Sequence, residues 1–233
     1  HDPPYATPNE NWGREVMELF TLGVFQVSNG AGGSPPAGLA DPAKPNYTEN
    51  DVHNLARAST GWTNLKSNKG IWDRGDWDDG QTYDDNADGN VDPVVIFGQQ
   101  GSGDSWRIDD GAIGTGYNVL DLLFSRVDAH GHNQVGMFMA KKFWTAYAYP
   151  PPAPTLETGG GSLYDLFANF AGVFASGGFE VEPLLEAMWT HDEFYSDRAK
   201  SRTVRSPVDF IVGSLRSLGV TKSAGKTIGD NDE

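Results

Sequence analysis

Several Ser or Thr residues of this chain stand three positions before an acidic side chain, among them Thr7 before Glu10, Thr48 before Asp51, Ser162 before Asp165 and Ser206 before Asp209. That spacing lets hydroxyl and carboxylate exchange hydrogen bonds with the free amides of a first helical turn, so each pair marks a helix start. Pro8 and Pro207 follow two of these caps at the first helical position, where a missing N–H costs nothing. The first helix is predicted to run to about Leu22 and end at Gly23, and the second to close at Gly61. Apolar periodicity adds helices over 119–126, 134–147 and 183–189, with a short turn near 192–195. Seven helices of this kind predict a mainly α, multi-helix single domain.

The connections have another character. Residues 28–46 are rich in Gly, Pro, Ala and Ser and read as a flexible loop, and residues 150–161 run from a proline triplet into Gly159-Gly160-Gly161. Residues 64–116 form a long Asp/Gly-rich irregular insert in which only 94–97 reads as a strand. An insert of that length within a compact domain calls for an internal tie.

The acidic run within it supplies one. Counting Asp84 as position 1 puts Asn86 at 3, Asp88 at 5, Gly89 at 6, Asn90 at 7 and Asp92 at 9, the order of an EF-hand-type calcium loop. Gly89 permits the sharp turn, and Asn90 contributes its backbone carbonyl. Position 12 is Val95 rather than the usual bidentate Glu, so either the site is weak or Asp73, Asp76, Asp78 or Asp79 closes it.

Composition narrows the partners. With 32 acidic against 17 basic residues the formal charge is -15, which argues against nucleic acid and against an anionic membrane surface. No apolar run is long enough to span a bilayer. The absence of cysteine removes disulfides, thiolate metal sites and a cysteine nucleophile. Calcium is abundant outside cells, so a calcium loop points to a secreted, periplasmic or cell-surface location. The opening His1-Asp2-Pro3-Pro4 has neither an initiating Met nor a signal peptide and reads as a processed or truncated start.

Segments Pro8 to Gly23 (PNENWGREVMELFTLG), Tyr47 to Val52 (YTENDV) and Ala56 to Trp62 (ARASTGW), followed in order by Ile96-Phe97-Gly98, Val119 to Leu123, Lys142-Phe143-Trp144 and Ser206 to Arg216, closely resemble the bacterial domain of unknown function 1800 family. The resemblance covers nearly the whole chain. It implies a mostly helical, usually exported bacterial protein with no established reaction, in which a further helical portion precedes the Asn-Glu-Asn block. The chain is therefore expected to be the C-terminal part of a longer domain, completed by that portion or by another protein chain. Where the family usually has a His-Asp and Gly-Lys pattern, this sequence has the Asp84 to Asp92 run.

Further residues could carry chemistry. At about 100° per residue, Trp12, Val16, Leu19, Phe20 and Leu22 form the apolar stripe of the first helix, and Glu15 projects between Leu19 and Leu22. The same projection sets Lys142 among Val135, Phe138, Met139 and Ala146. A buried charge needs a partner, so Glu15 is predicted to pair with Lys142, Arg14 or Arg57, either as a structural ion-pair network or as an acid/base cluster of Glu15, Arg57 and Lys142. His130 and His132 offer two nitrogens to a transition metal without an evident third ligand. His1, if a mature N-terminus, is a further copper ligand. Gly111 to Gly116 has the glycines of a dinucleotide fingerprint but no strand and helix around it. Trp62, Trp72, Trp77, Tyr83 and Trp106 crowd the acidic insert, either packing it onto the domain or forming a platform for carbohydrate. Two functions follow: a secreted, calcium-stabilised binding or assembly component, or a polysaccharide-active hydrolase or metal-dependent enzyme.

Overall fold

The computed structural model describes residues 9–30, 36–59, 62–65, 69–72, 94–101, 118–151, 155–202, 207–219, 222–223 and 226–227. Helices dominate: α1 (Glu10–Glu15), α2 (Glu49–Ala58), α3 (Asn118–Phe124), α4 (Gln134–Tyr147), α5 (Leu163–Ser176), α6 (Val181–Trp189), α7 (Asp197–Arg202) and α8 (Pro207–Ser217). The cap signals hold at α2 and α5, where Thr48 with Asp51 and Ser162 with Asp165 make complete capping boxes. At α1 the capping residue is Asn9, whose side chain accepts from the Asn11 N–H at 3.1 Å. A 3-10 turn, Asp192–Tyr195, stands where the short turn is expected.

The first helix changes character midway. From Val16 to Thr21 it is π-helical, with the Leu22 N–H reaching the Met17 carbonyl five residues back at 2.9 Å, and Gly23 ends it at φ 73°. The wider turn breaks the assumed 100° step. Trp12, Leu19 and Phe20, expected inside, are exposed, while Gly13, Met17, Thr21 and Leu22 are buried. Gly13 explains the rotation. A Cβ there would lie 2.8 Å from the Val52 carbonyl oxygen, so the missing side chain brings α1 onto the backbone of α2.

The core is aromatic. Trp144, fully buried in α4, is surrounded by Tyr149, Phe167, Phe170 and Phe194 at ring-centroid distances of 5.4, 6.4, 5.9 and 6.0 Å. Met137, Ala140, Leu163, Ala171, Leu184 and Met188 complete the packing of α4, α5 and α6. Gly136 of α4 sits against α5 so closely that an added Cβ would meet the Ala171 Cα at 2.8 Å.

Among the described residues four two-stranded antiparallel ribbons accompany the helices: β1 (Phe25–Val27) with β2 (Ala40–Pro45), β3 (Trp62–Leu65) with β4 (Lys69–Trp72), β5 (Val94–Ile96) with β6 (Gln99–Gly101), and β7 (Lys222–Ser223) with β8 (Lys226–Thr227). The expected strand at 94–97 is therefore one of eight among the described residues. The expectation of a flexible loop over 28–46 fails at its C-terminal end, which pairs with β1 through Phe25 opposite Pro45 and Val27 opposite Ala40. Prolines are tolerated there because a two-stranded ribbon is all edge. The glycine triplet is also tied down. The Leu156 N–H donates to the Gly161 carbonyl at 3.0 Å, and the carboxylate of Glu193, wholly buried, accepts from the N–H groups of Glu157 at 2.7 Å and Thr158 at 2.9 Å and from the Tyr149 hydroxyl at 2.6 Å.

Candidate functional site

The predicted Glu15, Arg57 and Lys142 cluster does not assemble. Glu15 is exposed, because the close α1–α2 contact at Gly13 and the π segment turn it outward, and it has no ion-pair partner among the described residues. Arg14 instead clamps Glu49 at the start of α2, with Nη1 and Nη2 donating at 3.1 and 2.5 Å. Arg57 is buried in α2 and donates to the Asn54 Oδ1 at 3.1 Å. Lys142 is exposed; its Nζ donates to the Leu19 carbonyl at 2.6 Å and lies 5.3 Å from the Phe138 ring centroid. It thus caps the C-terminal carbonyls of the first helix, a favourable place for a cation. A shallow apolar groove of about 440 Å³ opens beside it, lined by Leu19, Val24, Phe25 and Phe138 with Lys141 and Lys142 at its border.

The histidine pair has a more definite setting. An isolated bridge between Val127 and Asn133 closes the hairpin that precedes α4, and Gly131 takes φ 84° at its tip. Asp128 organises this hairpin. Its Oδ1 accepts the N–H groups of His130 and His132 at 2.8 and 2.9 Å, and its Oδ2 accepts the Tyr164 hydroxyl at 3.0 Å and faces the His132 Nδ1 at 3.2 Å. A carboxylate only accepts, so the Asp128 contact favours a proton on His132 Nδ1, which also lies 3.2 Å from the Tyr164 hydroxyl. Burial pushes the Asp128 carboxyl up, but the bonds from His132, His130 and Tyr164 outweigh it and hold the group below its ordinary value. The same burial, with the Asp128 charge, raises the Tyr164 phenol. The rings of His130 and His132 lie 6.1 Å apart, and among the described residues no group of three or more His, Cys, Asp or Glu is placed to hold a metal ion.

A second polar site lies two residues earlier on the same hairpin. The Arg126 guanidinium stacks over the Phe97 ring at 3.7 Å from its centroid, donates from Nε to the Gln134 Oε1 at 3.0 Å, and approaches the Asn46 carbonyl from Nη2 at 3.4 Å. Phe97 takes φ 53°, a left-handed conformation unfavourable for a bulky residue. The buried Asp51 holds it there, accepting the Phe97 N–H on Oδ1 at 2.6 Å while its Oδ2 serves the Thr48 cap. Arg126, Phe97, Asp51, Asn46, Tyr47 and Asn50 line a cleft of about 380 Å³. Burial lowers the Arg126 pKa, partly offset by the nearby Asp51 charge. Tyr47, whose hydroxyl faces Glu18 at 3.3 Å, is pushed up to about 12, first by burial and then by that carboxylate.

Sequence reasoning overlooked Arg126, Asp128 and Tyr164. A signal existed only for Asp128, since an Asp two and four residues before a pair of backbone donors at a Gly turn is an Asx arrangement. The calcium ligands Asp84, Asn86, Asp88, Asn90 and Asp92, and the alternatives Asp73, Asp76, Asp78 and Asp79, lie outside the described residues, as do His1 and the Gly111 to Gly116 run. Of the aromatic platform, Trp62 and Trp72 stand opposite each other in the β3–β4 register, and Trp77, Tyr83 and Trp106 lie outside the described residues.

Among known proteins, a family model described as "Protein of unknown function (DUF1800)" matches residues 4–231. No curated protein and no solved structure matches the chain.

Proposed function

The chain belongs to the DUF1800 family, and from that premise we propose that it is a secreted, calcium-stabilised helical component of an extracellular or cell-surface structure, working by binding and assembly. The supporting observation is the apolar face left open on the first helix. Trp12, Leu19 and Phe20 are 41%, 43% and 62% exposed, and Leu19 continues into the groove floored by Val24, Phe25 and Phe138. Contiguous exposed apolar side chains beside a groove mark protein contact surfaces more often than isolated ones do. On α8, Val208, Phe210 and Ile211 are exposed as well, as is Leu218 just beyond its end. The separate destinations of Glu15, Arg57 and Lys142 give the hydrolase reading no comparable support.

If another protein chain covers the first-helix face, Leu19→Ser combined with Phe20→Ser should break the assembly while changing the stability of the isolated chain by no more than about 0.5 kcal/mol. Sedimentation velocity and denaturant unfolding on the same preparations measure both. An assembly state indifferent to the two changes counts against the reading. For the metal, Asp84→Ala with Asp88→Ala should lower the melting temperature in calcium and leave it unchanged in chelator, since only a ligand bound to the native state adds stability. Equal losses in both conditions would remove calcium from the proposal.

A further inference from the structure

Half-buried on α4, Lys141 brings an ammonium to the groove beside the first helix, where it has no hydrogen bond or ion pair among the described residues. Burial lowers its pKa, and no neighbouring carboxylate offsets that cost. The other charged and hydroxyl side chains lining the groove are committed. Lys142 donates to the Leu19 carbonyl, the Thr145 hydroxyl donates to the Lys141 carbonyl at 2.7 Å, and the Glu18 carboxylate faces the Tyr47 hydroxyl at 3.3 Å. Between them lies an apolar surface of Leu19, Val24, Phe25, Ala40 and Phe138 around about 440 Å³, within the range of small-molecule sites. The backbone sets one wall of it. Gly23 takes φ 73°, and a Cβ there would meet the Phe138 ring at 2.8 Å, so the glycine lets that ring lie against the turn before any ligand arrives.

We propose that this groove binds an amphiphilic carboxylate, a fatty acid in its simplest form, with the alkyl chain along Phe25 and Phe138 and the carboxylate on the Lys141 ammonium. The bond would be charge-assisted and would give a desolvated cation the partner it lacks. Lys142, held 5.3 Å from the Phe138 centroid, adds a second positive charge at the same border. Charge also favours a small ligand over an acidic protein segment. A chain with a net charge of -15 repels a partner that carries several acids, whereas a ligand with one carboxylate answers one ammonium, and physiological salt screens the remaining charges beyond about 8 Å. Leu19 borders both this groove and the exposed first-helix face. The inference does not rest on the assembly reading, because Lys141 carries it and its test needs no partner chain.

Calorimetric titration of the whole chain with decanoate, decyltrimethylammonium and acetate tests it, the two amphiphiles being kept below their micellar concentrations. Decanoate should bind more tightly than each of the others. Lys141→Met keeps an apolar stem and removes the charge. It should weaken decanoate at least about tenfold without weakening decyltrimethylammonium, and Lys141→Arg should retain decanoate binding. In the native protein, amine acetylation followed by peptide mapping should show Lys141 protected by decanoate and not by acetate. Absence of decanoate binding overturns the proposal. So does binding matched by decyltrimethylammonium or acetate, binding indifferent to Lys141→Met, or decanoate binding that leaves Lys141 as reactive as before. Loss of assembly in Lys141→Met without decanoate binding would give the ammonium to a protein partner instead, and overturns it equally.

Discussion

At the scale of single residues, Glu193 is a wholly buried carboxylate whose ionisation bears on the stability of this fold. Burial alone would raise its carboxyl, yet bonds from the Tyr149 hydroxyl and from Thr158 and Glu157 hold it below its ordinary value. A depressed carboxyl contributes stability that is fully present above the unfolded-state pKa and is lost as pH falls through the folded one. Glu193→Gln should therefore be destabilising at neutral pH, and the gap from wild type should close as pH falls below the ordinary glutamate range. Thermal unfolding across that range measures it; a gap independent of pH would show that the charge is immaterial. Gly13 makes the opposite kind of demand. Helix propensity alone would favour alanine by about 1 kcal/mol, but the new Cβ would press on the Val52 carbonyl and on the Ala56 nitrogen at 3.3 Å, both backbone. Gly13→Ala should cost about 1–3 kcal/mol in denaturant unfolding.

At the scale of elements, the two capping boxes are not equivalent. Asp165 caps α5 at the surface, so Asp165→Ala should cost about 1 kcal/mol, the usual value of a lost cap. Asp51 is buried, and besides capping α2 it holds the Phe97 N–H across to the β5–β6 turn. Asp51→Ala should exceed the Asp165 loss by a further 1–3 kcal/mol or so, since a buried donor is left unpaired; equal losses would reduce Asp51 to a simple cap. The same contrast measures what the sequence could disclose. Helix starts were legible because a cap is a local exchange between residues three apart. Of the ribbons the sequence disclosed the strand at 94–97 but not the β1–β2 pair, because β2 carries Pro42 and Pro45 and pairs with β1 across a loop that has no alternation to read. The inward face of the first helix was misread for a related reason. Gly13 determines that face through a side chain it lacks, and the π turn alters the step on which any periodicity argument depends. The Arg126 site was equally hidden, since Phe97, Asn46 and Gln134 converge on it from three separate parts of the chain.

At the scale of the molecule, charge dominates. An excess of 15 negative charges at 233 residues repels itself in the compact state, and added salt screens that repulsion. Melting temperature should thus rise with sodium chloride. Calcium, if it occupies the acidic run, should give an increment beyond that of magnesium at equal ionic strength, because its flexible, higher coordination suits such a loop. Identical shifts for the two cations would leave screening as the whole explanation.

The meeting of α4 and α5 at Gly136 carries a consequence for how this protein can vary. A methyl at position 136 would strike not only the Ala171 Cβ but also its Cα and carbonyl oxygen, at 2.8 and 2.9 Å. Trimming Ala171 to glycine would remove one obstacle and leave the others, so no substitution on the facing helix can make room. Drift at position 136 has no second-site remedy short of moving two helices apart, and the Trp144 cage would have to reform around the new spacing.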